Sequence, residues 1–319
     1  MGLHQDSGRW RLGLGLSLVT VFLWGILPIA LTITLQELDV YTLTWFRFVV
    51  AFVLLGFILA AKGQLPSAKK LKATPRWLLA IATISLAINY LLFVQGLAMT
   101  SPANAQVLIQ LAPVMMGLGA IAIFRERYTF RQWMGLATLT LGFSLFFHEQ
   151  LKNLINAQGT YLLGCFVVVI AAAAWAVYAL AQKQLLQTLS SANIMLLIYG
   201  GCALIFTPFA QPQQLFLLPP LQWGTLIFCG LNTLVAYGAF AESLEHWEAS
   251  KISALLATTP LVTIGSVWLV SWRIPGLIAA NTMTILGFFG ATLVVTGSAA
   301  IGQSPAPKRA IALGKKKIN

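Results

Sequence analysis

The side chains able to do chemistry in this sequence are few, and each stands inside or at the edge of an apolar run. Arg47 is the one clear charge within such a run. A charge at the centre of a bilayer costs about 2.5–3.5 kcal/mol on insertion scales, so it calls for a compensating contact. Arg47 lies about one and a half turns into its run, which leaves two roles open. It can snorkel to the outer interface or bond carbonyls, or it can stand at the outer mouth of a solute cavity. Asn89, Tyr90 and Gln95 follow in a later run, and Gln106 and Gln110 lie one turn apart on one face of the next. Amides so placed bind a zwitterionic or hydroxylated solute, or else they hydrogen-bond neighbouring helices. Gln110 stands just before Pro113, whose missing N–H frees a backbone carbonyl one turn earlier.

Trp24, Trp175, Tyr178 and Tyr237 offer flat walls suited to apolar or aromatic solutes, and helix packing is their other reading. Pro28, Pro113 and Pro260 lie within apolar runs, the last two mid-helix, and are hinge candidates. Trp10, Trp45, Trp77, Trp223 and Trp272 stand near run ends, where indoles form interfacial belts. Glu242, Glu245 and Glu248 flank the end of one run. Glu242 is deep enough to be weighed as a proton-coupling carboxylate against a solvated helix end, and no other acid lies in a run. Enzyme chemistry finds no support. There is no phosphate-cradling Gly-rich loop followed by Lys-Ser/Thr and no His-Glu-x-x-His, while His4, His148 and His246 sit at chain or run ends. An intramembrane hydrolase would lack its paired acids. No metal and no cofactor is expected.

The elements that must position these residues are set by composition. Hydrophobic residues make up 58% of the chain and charged residues 9%, with a mean hydropathy of +0.82, more apolar surface than a water-soluble fold can hide. Apolar runs fall at about 12–34, 42–61, 77–98, 104–124, 131–148, 159–181, 193–210, 222–243, 250–271 and 280–300. Each approaches the roughly 20 residues needed to cross a bilayer. The expected fold class is an all-α polytopic membrane protein of ten transmembrane helices. The first run is too long for a signal h-region, contains Trp24 and Pro28 and lacks a small-residue cleavage site, so it counts as the first span. Cys165, Cys202 and Cys229 lie in apolar runs without metal-ligand spacing and read as small core hydrophobes.

The net charge of +12 does not point to nucleic acid, because the basic residues sit in loops and tails. With the N-terminus inside, the cytoplasmic segments hold seventeen: Arg9, Arg11, Lys62, Lys69, Lys70, Lys72, Arg76, Arg125, Arg127, Arg131, Lys183, Lys251, Lys308, Arg309, Lys315, Lys316 and Lys317. Only Lys152 and Arg273 fall outside. Both termini are therefore expected in the cytoplasm, in a multi-pass protein of the plasma or inner membrane. The run from Gly302 to Asn319 reads as a basic tail that orients the chain and touches anionic lipid.

The sequence also repeats. Tyr90, Phe93, Leu97, Leu108 and Pro113 align with Tyr237, Phe240, Leu244, Leu255 and Pro260 at a constant shift of 147, and Trp24 aligns with Trp175 at 151. Five spans per half force the second copy upside down, giving two inverted five-helix repeats. The organisation expected is a tail at 1–11, repeats at 12–148 and 159–300, and a second tail at 301–319.

Several segments carry a family resemblance. Phe22-Leu23-Trp24-Gly25, Arg47-Phe48, Leu111-Ala112-Pro113-Val114 and Phe124-Arg125-Glu126-Arg127, followed by Gln132, Gly135 and Gly142, stand in the first half. Ala173-Ala174-Trp175-Ala176-Val177-Tyr178, Thr259-Pro260-Leu261-Val262 and Leu286-Gly287-Phe288-Phe289-Gly290 stand in the second. In this order they resemble the EamA-like branch of the drug/metabolite transporter superfamily over residues 10 to 300. One departure is Ser271-Trp272-Arg273-Ile274-Pro275, which replaces the loop glutamate matched in the first half by Glu126. The resemblance implies a carrier with a central cavity opened alternately to each side, whose relatives handle amino acids, other metabolites, nucleosides and toxic compounds, often as exporters. The site is then expected near the midplane between spans 1, 3, 4, 6, 8 and 9, from Trp24, Arg47, Asn89, Tyr90, Gln106, Gln110, Trp175, Tyr178 and Tyr237. Expected partners are a small-molecule solute and the lipid bilayer, with a homodimer compatible. The rival readings are a membrane-embedded enzyme and a channel-like or scaffold protein.

Overall fold

The computed structural model describes residues 7–100, 105–106, 108–124, 128–146, 148, 159–274 and 284–302. Among these the chain is helical and has no strand. The helices are α1 (Trp10–Thr34), α2 (Val40–Ala61), the short α3 (Ala68–Ala73), α4 (Arg76–Met99), α5 (Leu111–Phe124) and α6 (Phe130–Phe146). They continue with α7 (Thr160–Leu185), α8 (Ser191–Phe206), α9 (Pro220–His246), α10 (Ala249–Leu256), α11 (Thr259–Arg273) and α12 (Ile285–Gly302). Seven stretches are long and apolar enough to cross a bilayer: α1, α2, α4, α7, α8 with its continuation to Phe209, α9, and α10 together with α11. The other three expected spans fall on α5, α6 and α12, which are shorter. Arg125, Glu126 and Arg127 and most of the basic C-terminal tail lie outside the described residues, as do Lys152 and Pro275.

Local chemistry explains where the helices start. Asp39 caps α2, its carboxylate accepting from the N–H groups of Tyr41 at 2.8 Å and Thr42 at 3.0 Å. Thr129 and Gln132 form a reciprocal capping box at the head of α6. Two extended apolar runs are interrupted in the same way. A two-residue turn at Ile109 and Gln110 precedes α5, and another at Ala257 and Thr258 separates α10 from α11. Pro113 and Pro260 are therefore not mid-helix, as their sequence context suggests; each stands in the first turn of a new helix. The ring removes an amide donor that would have bonded four residues back. The carbonyls left over are met otherwise, Ile109 O by the Ala112 N–H at 2.9 Å and Leu256 O by the Thr259 hydroxyl at 2.6 Å.

A second correction concerns Lys183. Its expected loop is the last turn of α7, because Ala181-Gln182-Lys183-Gln184-Leu185 contains no breaker. The side chain is buried, with its ammonium 5.1 Å from the centre of the Phe124 ring. Lys251, likewise assigned to a loop, lies buried in the first turn of α10 and pairs with Glu248 at 3.3 Å.

The helices pack in antiparallel pairs. Along α1 and α9, Gly13 meets Trp247, Thr20 donates to Ala236 O at 3.2 Å, and the hydroxyls of Thr34 and Thr225 lie 2.9 Å apart. Along α4 and α7, Asn89 donates to Ala171 O at 2.9 Å and Gly96 meets Val168. Helix α2 packs on α8, and α6 on α12. These partners keep the same pattern when the halves are exchanged by the sequence shifts, since α1 with α9 becomes α7 with α4. The cysteines are free and buried, as small core side chains. Large apolar side chains such as Phe57, Leu204 and Phe288 face outward, as a lipid-immersed surface requires.

Gly135 and Gly142 of α6 meet Gly297 and Gly290 of α12 backbone to backbone. A Cβ on Gly290 would stand 2.3 Å from Phe146 N and 2.7 Å from Gly142 O. Gly290→Val is expected to destabilise the protein by at least about 1–3 kcal/mol, the usual range for overpacking. Gly224→Ala in α9, with nothing within 4 Å of the added carbon, is expected to be neutral or to stabilise by up to about 1 kcal/mol. Thermal unfolding in detergent checks both.

Candidate functional site

One cavity of about 90 Å³ lies where the two breaks meet α1, α2, α4, α7 and α9. Eight of the nine candidate binding residues line it: Trp24, Arg47, Asn89, Tyr90, Gln106, Gln110, Trp175 and Tyr237. Pro28 and Pro113 also reach it, whereas Pro260 leaves that place to Thr259 and Leu256. Residues from both halves of the sequence are thus brought to one point. Gln95 stays apart, its amide 3.5 Å from the Tyr41 hydroxyl.

Tyr178 is the exception. It is fully buried behind the wall, with its hydroxyl against Met195 Sδ at 3.3 Å and its ring 6.4 Å from that of Trp175 and 6.1 Å from that of Tyr237. Helical phase accounts for this. Tyr178 follows Trp175 by three residues on α7, about 300° around the axis, so the two share a side without sharing a surface. Tyr178 supports the wall.

The aromatic side chains interlock. Trp24 meets Trp175 edge-on at 5.6 Å and Tyr237 at 4.8 Å, while Trp175 and Tyr237 are backed by Phe240 and Tyr178. Such edge-to-face and tilted contacts are worth roughly 0.5–1.5 kcal/mol per pair beyond area burial. They hold the walls in place before any ligand arrives.

Arg47 does not snorkel. It is 2% exposed, its guanidinium carbon stands 4.4 Å from the centre of the Tyr90 ring, and Nε donates to Thr233 Oγ1 at 3.0 Å. Thr233 donates in turn to Cys229 O at 2.9 Å and accepts from the Tyr90 hydroxyl at 3.4 Å. This threonine anchor is invisible to sequence reading, because a lone threonine on an apolar helix is usually bonded to its own backbone. Its one signal is spacing: Thr233 precedes Tyr237 by one turn and shares its face.

Two polar atoms facing this region lack a hydrogen-bond partner among the described residues, the Trp24 indole N–H and the Gln110 carbonyl Oε1. Gln110 is 6% exposed. A buried polar atom left unpaired costs about 1–3 kcal/mol, so both are open to a ligand or to water. Asn89 differs, since its amide nitrogen is spent on Ala171 O and so ties α4 to α7. Glu242 lies away from the cavity. It accepts from the Ser191 hydroxyl and pairs with His246 at 3.3 Å, with its side chain 42% exposed, the geometry of a solvated helix end.

The sequence model of the EamA-like transporter family matches residues 11–147 and again residues 162–301. The chain belongs to this family. Its EamA relatives include the uncharacterized inner membrane transporter YhbE of Escherichia coli K12, 39% identical over 298 residues and covering 93% of this chain and 92% of the relative. An uncharacterized transporter of Haemophilus influenzae is 36% identical over 93% of this chain and 97% of its own length. A probable amino-acid metabolite efflux pump of Escherichia coli K12 is 24% identical over 88% of this chain and 92% of its own. A solved crystal structure shares the fold with a TM-score of 0.69 at 16% identity, covering 92% of this chain and 98% of that one. The protein is accordingly a multi-pass membrane transporter of the EamA family and not an enzyme.

The EamA cavity makes a direct prediction. A cysteine at Gln110 is expected to react with a small hydrophilic thiol reagent in detergent, and one at Tyr178 is not. Mass spectrometry reads the adduct over a background of three buried native cysteines.

Proposed function

We propose that this protein is a secondary carrier that moves a small metabolite, of amino-acid, nucleoside or drug-like size, across the cytoplasmic membrane by alternating access. Its two halves, residues 12–148 and 159–300, are five-helix repeats of opposite orientation, with both termini in the cytoplasm. The observation that carries this reading is convergence. Arg47, Asn89, Tyr90 and Gln110 from one half and Trp175 and Tyr237 from the other line one cavity, beside helix breaks at corresponding places in each half. Carriers built from inverted repeats bind solute at such a seam, where interrupted helices expose backbone polar groups. The exchange-symmetric helix partners and the twofold match of the family model support the same arrangement. Export is the favoured direction, given the relative named as a probable efflux pump.

Reconstituted in liposomes, the protein is expected to show saturable counterflow when amino acids, nucleosides and sugars are screened, behaviour a channel does not give. Gln110→Ala and Trp175→Ala are each expected to lower the rate by about tenfold, in line with loss of one buried contact. Unchanged affinity and rate in both variants would remove the cavity from the transport path. Topology is checked separately. A cysteine at exposed Gln64 should label only in permeabilised cells, and one at exposed Gln213 in intact cells; labelling of both from one side rules out the inverted arrangement.

A further inference from the structure

Arg47 brings a fixed positive charge to the cavity, and no acidic residue is among the described residues that line it. The eight acidic residues are Asp6, Glu37, Asp39, Glu126, Glu149, Glu242, Glu245 and Glu248. All stand at the ends of apolar runs, and none occurs between Asp39 and Glu126 or between Glu149 and Glu242. Asp39, the nearest along the helix, is eight residues away, about 12 Å along the axis at 1.5 Å per residue, and is engaged in capping α2. The guanidinium has one hydrogen bond among the described residues, from Nε to Thr233. Its remaining N–H groups form a planar fork at the cavity wall. Contact with the Tyr90 face offsets part of the cost of burying this cation and leaves the fork free.

We infer that the ligand of this cavity is an organic monocarboxylate with a flat apolar body, its carboxylate received by Arg47 and its body held against the wall formed by Trp24, Trp175 and Tyr237. The inference rests on reading this cavity as the solute site. A planar guanidinium matches a carboxylate with two parallel hydrogen bonds, which a point charge cannot do. One cation balances one negative charge, so a phosphate monoester would bring an uncompensated charge into the bilayer. The aromatic walls set the other end of the solute. The unpaired Trp24 N–H and Gln110 Oε1 add a donor and an acceptor, which suit a hydroxyl or amino substituent beside the carboxylate. A cationic solute fails on the same ground, since it would face Arg47 with no acid among the described lining residues to receive it.

The test uses the full chain in detergent and isothermal titration calorimetry with three probes of equal body and different head: 3-phenylpropionate, 3-phenylpropan-1-ol and 3-phenylpropylamine. The expected order is propionate tightest, alcohol weaker and amine weakest. Arg47→Gln should weaken propionate by about tenfold or more and leave the alcohol unchanged, as loss of a charge-assisted hydrogen bond requires. Arg47→Lys, which keeps the charge and loses the fork, should fall between. Thr233→Val leaves the guanidinium in place but unanchored, and reads the same way where Arg47→Gln does not fold: weaker propionate, unchanged alcohol. Equal binding of propionate and amine, or propionate binding indifferent to Arg47→Gln and to Thr233→Val, overturns the inference. Arg47-dependent propionate binding without counterflow of any solute upholds it and strikes the carrier reading alone.

Discussion

A guanidinium sealed between helices, with a tyrosine face beneath it and a threonine hydroxyl at its Nε, is the interaction on which the centre of this protein depends. Hydrocarbon offers no water to satisfy polar groups, so every such group must find a protein partner or a ligand. Tyr90 and Thr233 meet part of what Arg47 requires, and they come from different halves of the chain. The rest of its N–H fork stands at the cavity wall.

Much of this was legible in the sequence. Run length and composition alone give the all-helical class and the seven long apolar stretches, because the apolar signal of a bilayer span is stronger than any local propensity. The repeat brought Tyr90 and Tyr237 into register before any coordinates, and their rings lie 5.2 Å apart. Polar residues in apolar runs are rare enough that picking them out recovers most of the cavity. Three features escaped. Tyr178 shares the helical face of Trp175 in a coarse count yet sits one layer deeper, a distinction set by how α7 is rotated against α8 and α9. Thr233 carries no compositional signal. The placement of Lys183 depends on where a helix stops, and no breaker marks that point.

The prolines teach a related lesson. From sequence, Pro113 and Pro260 look like kinks in continuous helices. In the structure the chain restarts at each of them, and the freed carbonyls one turn earlier are taken by Ala112 N–H and the Thr259 hydroxyl. Both breaks lie beside the cavity, so the same irregularity that spoils a helix supplies the short segments from which Gln110 and Thr259 reach inward.

The glycine seam between α6 and α12 bears on the whole molecule. Each half contributes one of these helices, and the two backbones touch with no side chain between them to slide or repack. The pair is a rigid strut set to one side of the cavity, fastening first half to second. Under the alternating-access reading proposed above, one half would tilt against the other about that strut like a door about its post, with the widest excursion on the helices farthest from it.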